Sequence, residues 1–506
     1  MQEGTFSPNP VQGASIRQNS WELPSAENQS QGFAGQAPVV NPESVAPQKV
    51  NPVIYKSNNS SSGGGEKKSL KIPIKKILII LLGIFVSITI IIIIFSMKGS
   101  EKIAPTNNEV TLTYWGVFED ESVIKPVISE FEQNNPNIKI VYEKQDLSDY
   151  RQRLIARTEN GKGPDVFRYH NTWYPSISSI LLPLPNEVIK KEDFESKYYN
   201  VAKTDLIQNG AIYGIPLYTD TLSLYINTDI LNASSSATNV KIPKTWVDFI
   251  ETAKALTKRD ERGGIEVAGA GIGVYENVKY APDILSLLMV QNGVDLENFS
   301  GYKDKISVAI QFYTNFSQIN DNVWDSTQDD SQLAFSQGKL AMFFGYSWDY
   351  FEIKAKNPNI KMIVVPVPQL VSNNPSNIAS YWAEGVSSQT PNPSEAFLFM
   401  EFLSRTDTQE KLFEEAKKTR DFGEPYSVVG LSEKLKDTTP FVFTDQSRFA
   451  VSSPFVFVAG ENNTNTELNN FLKDAVSEVI SQGSDETAID SLIGGYTQTV
   501  NQYLGN

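Results

Sequence analysis

Three carboxylates of this sequence, Glu119, Asp220 and Glu384, are the first candidates for chemistry. Two carboxylates that face one cleft can hydrolyse a glycosidic bond, one as the acid and the other as the base or nucleophile. The chain has no GxSxG, P-loop or HExxH motif, and its only histidine is His170, which removes most nucleophilic and metal-dependent mechanisms. Carboxylates on a solvated surface explain these acids more simply, so we predict that the protein is not an enzyme.

Aromatic side chains beyond the ends of predicted strands are candidates for binding. Trp115 ends the first predicted strand, Trp173 follows the strand at residues 165–169, and Trp348 ends the segment AMFFGYSW. An aromatic plane at such a position can stack on the apolar face of a ligand ring. A tryptophan more often belongs to a hydrophobic core, but an open α/β sheet places its ligand contacts beyond the strand ends.

The composition excludes several kinds of site and partner. The sequence has no cysteine, so disulfides, thiolate metal sites and a lipid-modified cysteine anchor are ruled out. With one histidine, a metal would need oxygen ligands, and the acids around Asp325 and Asp330 lack the glycine and spacing of a calcium loop. We therefore predict no metal and no cofactor. Residues 103–506 hold 34 Lys and Arg against 53 Asp and Glu, so nucleic acid and anionic lipid would be repelled.

The elements that must position these side chains alternate between strand and helix patterns. Residues 110–115 and 138–142 have the patterns of strands, and residues 150–160 that of a helix that ends at Gly161. This succession indicates a parallel sheet covered by helices, an α/β domain. Farther on, residues 245–248 have the capping-box pattern that opens a helix. About 400 residues with these patterns suggest two lobes.

A run of 21 residues without a charge, Ile77–Met97, is predicted to cross a membrane once. A helix of this length spans the hydrocarbon core of a bilayer, which is about 30 Å thick. Five lysines lie in the ten residues before it, whereas only Lys98 and Lys102 follow closely, so the positive-inside rule places the N-terminus in the cytoplasm and the later residues outside. No A-x-A-like cleavage site follows, and we expect the span to remain as an anchor.

The segment before this span is predicted to be a disordered cytoplasmic tail, residues 1–76. Of residues 1–66, 38 are Ser, Asn, Gln, Pro or Gly, and no apolar periodicity is present. Such a segment cannot bury enough apolar surface to offset its chain entropy. Residues 98–107 are predicted to be a linker to the external domain.

Several fragments in a fixed order resemble the bacterial extracellular solute-binding proteins, in the family that contains the maltose-binding protein and other sugar receptors of ABC importers. Together they cover roughly residues 110–505. The fragments are LTYW at Leu112–Trp115, FEQNNPNIKI after it, GKGPDVF at Gly161–Phe167, LLPLP at Leu181–Pro185, NGAIYGIPLYTDTLSLYINTDIL at Asn209–Leu231, IPKTWVDFIETAKALTK at Ile242–Lys258, AFSQGKLAMFFGYSW at Ala334–Trp348, VVPVPQ at Val364–Gln369 and AFLFMEFLS at Ala396–Ser404.

The resemblance implies a periplasmic-binding-protein-like fold at residues 108–506, with two α/β lobes joined by crossing strands and a ligand cleft between them. Lobe 1 would take about 108–222 and 367–427, and lobe 2 about 223–366 and 428–506.

The resemblance also implies contacts to a sugar, whose apolar ring face and hydroxyl rim need aromatic planes and planar polar groups. Related receptors carry aromatic and polar ligand contacts after the GPDVF strand, an acidic sugar contact before the first crossing, and a stacking tryptophan at the end of AMFFGYSW. The predicted ligand-binding residues are Trp115, Glu119, Tyr169, Asn171, Trp173, Asp220, Tyr275, Trp348, Trp382 and Glu384. Where the maltose-binding pattern has an Asp-Arg pair, this chain has Thr172 and Trp173, so we expect an oligosaccharide or a less polar glycoside rather than maltose.

The function implied is that of a membrane-anchored extracellular substrate-binding protein that delivers a carbohydrate to the permease subunits of an ABC importer. Two alternatives remain open at this point. One is a surface carbohydrate receptor or adhesin without a transporter, and the other is a glycoside hydrolase that uses two carboxylates.

Overall fold

The computed structural model describes residues 109–235, 240–318, 322–370, 374–458, 464–483 and 486–504. The predicted tail, membrane span and linker at residues 1–107 lie outside these ranges. Among the described residues, none of the helices combines the length and the apolar character that crossing a bilayer requires.

The strands of the described ranges are mostly short and follow the chain in the order given. They are β1 Val110–Gly116, β2 Ile138–Lys144, β3 Val166–His170, β4 Leu181–Leu182, β5 Ile207–Gln208, β6 Ala211–Ile212, β7 Ile215–Pro216, β8 Ser223–Asn227, β9 Lys258–Arg259, β10 Ile265–Ala270, β11 Leu340–Gly345, β12 Met362–Val365, β13 Asn377–Ile378, β14 Trp382–Ser387 and β15 Ala450–Val451.

The α-helices of the same ranges lie between these strands and at the C-terminal end. They are α1 Glu121–Asn134, α2 Tyr150–Glu159, α3 Tyr174–Ile177, α4 Lys191–Lys197, α5 Asn200–Leu206, α6 Thr228–Ser235, α7 Trp246–Leu256, α8 Ala281–Gln291, α9 Lys303–Gln318, α10 Ser331–Ser336, α11 Ser347–Lys356, α12 Pro393–Ser404, α13 Thr406–Ala416, α14 Thr439–Gln446, α15 Thr464–Gln482 and α16 Glu486–Leu504.

The first sheet has the strand order β2-β1-β3-β14-β4, with β7 also paired to β14. Strand β1 runs parallel to both β2 and β3, which confirms the parallel sheet predicted from the strand and helix succession. Strand β14 is antiparallel to β3 and comes from a much later part of the chain. Its central residue Glu384 lies opposite Arg168.

The second sheet has the order β12-β8-β11-β10-β9 and mixes parallel and antiparallel pairs. Helix α7 packs on this sheet through Trp246 and Phe249, which lie near Phe344 of β11. The predicted capping box starts this helix. The Thr245 side chain accepts a hydrogen bond from the Asp248 backbone N–H, and Asp248 accepts one from the Thr245 N–H.

Each sheet has its own hydrophobic core, and the two cores confirm the two predicted α/β lobes. Lobe 1 is built on the first sheet, with Phe131, Phe399 and Phe402 in its core. Lobe 2 is built on the second sheet and includes the C-terminal helices α15 and α16. Burial of apolar surface in each core is the main source of stability for each lobe.

Within the described ranges, the chain passes from one core to the other at three places. The first passage lies between Tyr218 and Leu222, and the second between Ile378 and Ala379. These crossing segments pair with one another, because Leu222 N donates to Ile378 O at 3.0 Å and Ala379 N donates to Val451 O at 3.0 Å. At the second passage, the side chains begin to pack in the lobe 1 core about ten residues later than the boundary near 367 that the resemblance implied.

The third passage is a longer segment. Leu431, Leu435 and Ala450 pack in lobe 1, whereas Phe443 and Phe455 pack in lobe 2. The predicted boundary near residue 427 therefore precedes residues that still contact the lobe 1 core.

Candidate ligand cleft

A cleft of about 760 Å³ lies between the two lobes. Lobe 1 contributes Ser148 and Asp149, at the turn before α2, and lobe 2 contributes the rest of the lining. The lobes also touch beside the cleft, where Asn465 Nδ2 of α15 lies 3.4 Å from Thr172 Oγ1 of lobe 1. This volume falls within the range of about 300–1,000 Å³ that is usual for small-molecule sites.

Most of the cleft lining comes from α15 and from the segment between β10 and α8. Because side chains four residues apart lie on one face of a helix, α15 can present several polar groups to the cleft at once. Tyr275 and Phe457 add aromatic surface. The lining residues are Ser148, Asp149, Tyr275, Glu276, Val278, Lys279, Pro282, Asp330, Phe457, Val458, Asn465, Thr466, Asn469, Asn470 and Lys473.

Lys279 at the cleft wall is held by two carboxylates. Its Nζ lies 2.8 Å from Asp349 Oδ1 and 3.0 Å from Glu352 Oε2. Asp349 is fully buried and also accepts a hydrogen bond from Tyr346 N at the start of α11. The charge of Lys279 is therefore largely neutralised by these two carboxylates of lobe 2. The two ion pairs also fix the position of the Lys279 side chain in the cleft wall.

Of the predicted ligand-binding residues, Tyr275 lines this cleft. Trp115, Trp173 and Trp382 instead pack in the core of lobe 1. Trp173 and Trp382 meet edge to face at 5.0 Å, and Trp115 Nε1 donates to Glu143 Oε2 at 2.8 Å. The position of a tryptophan at a strand end does not tell whether its indole faces the cleft or is buried by neighbouring residues. Ligand contact by these three residues stays a prediction.

The neighbouring His170 is buried between Thr172 and Ser380. Burial, together with a smaller contribution from the charge of Arg151, lowers the pKa of His170 to about 3. The imidazole is therefore neutral at physiological pH, and its hydrogen bonds hold the ends of β3 and β14 together.

Two predicted acids, Glu119 and Glu384, meet around Arg168, a residue that sequence reasoning missed. Arg168 Nε donates to Glu384 Oε1 at 2.7 Å, and Arg168 Nη1 forms an ion pair with Glu119. The Arg168 and Glu384 side chains are 2% and 0% exposed. A charged residue in the apolar strand VFRYH was the one signal in the sequence for this buried ion triad. None of its members is among the residues that line the interlobe cleft, and ligand contact by Glu119 and Glu384 stays a prediction.

Asn171 joins β3 to the crossing segments through Asp205. Asn171 Nδ2 donates to Asp205 Oδ2 at 3.0 Å, and Asn171 Oδ1 accepts from Tyr381 N at 3.2 Å. Tyr381 OH and Ser452 Oγ also donate to Asp205 Oδ2, at 2.7 and 2.6 Å. One carboxylate oxygen therefore ties the end of β3 to two crossing segments. Tyr169, also predicted as a contact, is fully buried in lobe 1.

Replacing Asp205 by asparagine should flatten part of the pH dependence of stability. Burial raises the pKa of Asp205 from its ordinary value of 3.8 to about 6. Between these values the folded chain binds more protons than the unfolded chain, so the free energy of unfolding falls as pH rises, by about 2 kcal/mol from this group. Urea unfolding of wild type and Asp205→Asn at several pH values from 4 to 7 measures the difference, and parallel profiles would contradict the assignment.

A second variant provides the control for this experiment. Burial raises the pKa of Asp283 from 3.8 to about 7, while hydrogen bonds from Tyr346 OH and Phe457 N oppose the rise. Asp283→Asn should therefore remove a fall in stability that extends to about pH 7, later than the one removed by Asp205→Asn.

Asp220 is fully buried in the first crossing segment and caps a helix of the other lobe. Asp220 Oδ2 accepts from Ser347 N at 3.0 Å and from Ser347 Oγ, and Asp220 Oδ1 accepts from Thr221 N. Burial raises the pKa of Asp220, and these hydrogen bonds oppose that rise. In this structure the carboxylate fastens α11 to the crossing segment rather than facing the cleft.

Trp348, one residue into α11, is half-buried in lobe 2. Its ring stacks on Tyr346 at 4.6 Å with an interplanar angle of 14°, and its Nε1 donates to Tyr280 OH at 2.9 Å. Tyr280 in turn packs edge to face on Phe457, which lines the cleft. The rings of Tyr280 and Phe457 therefore lie between the Trp348 indole and the cleft.

Sequence reasoning missed the polar wall contributed by α15. The segment ENNTNTELNNFLK is rich in asparagine, and amides that both donate and accept hydrogen bonds are suited to hydroxylated ligands. That composition was the available signal, but nothing in the sequence placed the segment opposite Tyr275.

Comparison with known proteins supports the fold. A model of the family described as bacterial extracellular solute-binding protein matches residues 127–423. The galactooligosaccharide-binding protein of Bacillus subtilis is 21% identical over 376 residues, which are 71% of this chain and 81% of that protein.

Among the solved structures, two examples are similar to this chain over more than three quarters of its length. An ABC transporter solute-binding protein of Thermotoga lettingae bound with α-D-tagatose gives a TM-score of 0.60 at 21% identity, covering 78% of this chain and 100% of that one. A cyclo/maltodextrin-binding protein complexed with maltotetraose gives 0.62 at 16% identity, covering 77% and 97%. At these identities the likeness shows the two-lobed fold.

Proposed function

We propose, because this chain belongs to the bacterial extracellular solute-binding proteins, that it captures a carbohydrate between its two lobes outside the cell. In this proposal the ligand is an oligosaccharide or a glycoside, and the loaded protein delivers it to the permease subunits of an ABC importer. The family and the fold are those of binding proteins rather than enzymes.

The proposal rests on the cleft between the lobes, which is lined by both polar and aromatic side chains. Asparagine side chains of α15 face it together with Tyr275 and Phe457, a combination that suits a ring with one apolar face and a hydroxylated rim. The similar proteins add support, because their names give galactooligosaccharide, tagatose and maltotetraose as their ligands.

Lobe closure is the mechanism that we propose. A ligand that contacts both lobes favours the closed arrangement by its higher affinity for that state. The crossing segments are the natural hinge, since they are the chain connections between two separately packed cores. Asp220, within the first crossing segment, accepts a hydrogen bond from α11 of lobe 2, and Asp205 of lobe 1 accepts one from Ser452 of the third.

Anchoring of the chain by residues 77–97 is a further part of the proposal. It rests on the uncharged run and on the lysines that precede it. The cleft-bearing domain would then stay close to the outer surface of the membrane and to the permease. Glu119 and Glu384 both pair with Arg168, and this pairing does not favour the hydrolase alternative.

Saturating carbohydrate should raise the free energy of unfolding of the full-length chain in detergent by about 2.7 kcal/mol when the ligand is present at a hundred times its dissociation constant. Maltotetraose, mannobiose, α-D-tagatose, galactooligosaccharide, amino acids and short peptides form the panel for thermal-shift measurements. A response to one sugar class establishes a carbohydrate receptor. A response to amino acids or peptides alone keeps the receptor and rejects the carbohydrate.

Tyr275→Leu and Tyr302→Leu provide a matched pair for this experiment. Tyr275 lines the cleft, whereas Tyr302 is a half-buried tyrosine of lobe 2 outside the lining. Loss of ring contact should weaken sugar binding by about 2- to 12-fold in the first variant, because such a contact contributes about 0.5–1.5 kcal/mol. The second variant should bind as the wild type does.

A further inference from the structure

Helix α15 turns one polar stripe toward the cleft. Asn465, Asn469 and Lys473 follow one another four residues apart, so they lie on the same face of the helix, and all three line the cleft. Asn465 is already engaged, because its Nδ2 donates to Pro454 O at 2.8 Å and contacts Thr172 Oγ1 at 3.4 Å. Asn469 and Lys473 are the members of the stripe that a ligand can engage.

Asn469 contributes a hydrogen-bond acceptor to this wall. Its Oδ1 is buried and accepts no hydrogen bond from any described residue. Buried polar atoms without a partner are uncommon in folded proteins, and each calls for an explanation. Since the amide oxygen can only accept, the partner it lacks must be an O–H or N–H donor. Asn469 lines the cleft in which a ligand would supply that donor.

Lys473 contributes hydrogen-bond donors one helical turn farther on. The structure shows no ion pair between Lys473 and any described residue, in contrast to Lys279, whose ammonium group is bound by Asp349 and Glu352. The three N–H donors of the Lys473 ammonium group are therefore available to an acceptor in the cleft.

The charge of the lining opposes an anionic ligand. Asp149, Glu276 and Asp330 line the cleft against Lys279 and Lys473. The formal balance is negative, and Lys279 is already neutralised by two acids outside the lining. A carboxylated ligand would be repelled by this field, whereas a neutral ligand would not.

We propose that Asn469 and Lys473 bind two neighbouring hydroxyl groups of a neutral sugar ring. One hydroxyl donates to Asn469 Oδ1, and the next accepts from Lys473 Nζ. The Cβ atoms of residues four apart on a helix are about 5–6 Å apart, so both side chains can converge on oxygens of adjacent ring carbons. The inference rests on the proposed carbohydrate function and names the ligand feature that α15 recognises, an unsubstituted neutral diol.

Calorimetric titration of the full-length chain in detergent tests the inference with maltotetraose, mannobiose and α-D-tagatose as probes. With the probe that the wild type binds most tightly, Asn469→Leu should bind about 10–100-fold more weakly, because it removes the acceptor. Lys473→Met should bind about tenfold more weakly, because it removes the donors. Asn469→Asp, which keeps an acceptor oxygen, should stay within about fivefold of the wild type. Asn501→Leu, at an exposed position of α16, is the matched control and should bind as the wild type does.

A second measurement separates recognition from structure. Because Asn469 Oδ1 has no partner among the described residues, Asn469→Leu should unfold at the same temperature as the wild type without ligand. Undiminished probe binding by Asn469→Leu would overturn the inference, and so would a loss of stability that accounts for the loss of binding. Tighter binding of a glucuronic acid disaccharide than of the neutral probes, lost in Lys473→Met, would overturn the neutral diol. If the wild type binds none of the probes, the carbohydrate function fails together with the inference.

Discussion

Replacing Arg168 by methionine should lower the free energy of unfolding by about 3–5 kcal/mol, because it leaves two buried carboxylates without their cation. Arg168 and Glu384 are 2% and 0% exposed, and the Glu119 side chain is 10% exposed. Urea unfolding at neutral pH measures the loss. Methionine preserves much of the side-chain volume, so the effect reports the unpaired charges rather than a cavity. A loss below about 1 kcal/mol would show that water reaches the triad.

Two further variants make this prediction specific. Adding Glu119→Gln and Glu384→Gln to Arg168→Met should recover most of the loss, because no unpaired buried charge then remains. Lys125→Met breaks an ion pair with Glu121 in which both side chains are 69% exposed, and it should change stability by less than about 0.5 kcal/mol. Equal losses for Arg168→Met and Lys125→Met would contradict the buried triad.

Replacing Trp173 by alanine should also lower the free energy of unfolding by about 3–5 kcal/mol, because the ring is fully buried and its loss leaves a cavity. The indole contacts Tyr150 and Trp382 and lies under the guanidinium of Arg151. These partners come from two separate segments of lobe 1, α2 and β14, so collapse around the cavity will be incomplete. Thermal or urea unfolding of the variant measures the effect.

Trp348→Ala is the comparison for this prediction, because Trp348 is half-buried and should therefore cost less stability. Trp173→Phe, which leaves a smaller cavity, addresses the predicted ligand contact. If Trp173 contacts the ligand, Trp173→Phe will bind sugar more weakly than its small loss of stability explains. If Trp173→Ala unfolds like the wild type, the packing described for this ring is wrong.

Arg168→Met and Trp173→Ala address the same question. It is whether side chains at the strand ends of lobe 1 are part of the lobe 1 interior or line the ligand cleft. Glu384 and Trp382 belong to β14, which reaches the first sheet from far along the chain and lies beside β3. Their side chains point out of the sheet plane and are covered by packed neighbours, Trp173 against Trp382 and Arg168 against Glu384. Residues at the ends of such strands are accessible only where the following loop turns away from the sheet.

The α/β class and the two lobes could be predicted from the sequence, and both are confirmed. Short sequence patterns were sufficient to predict features whose interacting residues are close together in the chain. Thr245 and Asp248 form a capping box because both partners lie within one helical turn. The predicted helix at residues 150–160 is also present, and it ends one residue earlier, at Glu159.

The interlobe cleft could be predicted only in part, because its walls come from residues far apart in the chain. Tyr275 was identified as a candidate, whereas Asn469 and Lys473 were not, and they are separated from Tyr275 by almost 200 residues. Arg168 was missed for the same reason. The ion pair that makes it acceptable inside lobe 1 depends on Glu384, 216 positions later.

The sequence by itself thus determined the class of the fold, the family and the acidic character of residues 103–506, because these depend on composition, on short-range periodicity and on ordered motifs. The tertiary structure alone decided which strand-end side chains are covered and which line the cleft. Only the structure shows that Glu119 and Glu384 both form ion pairs with Arg168. The physical reason is that burial and hydrogen bonding depend on neighbours brought together by packing, and spacing along the chain does not encode those neighbours.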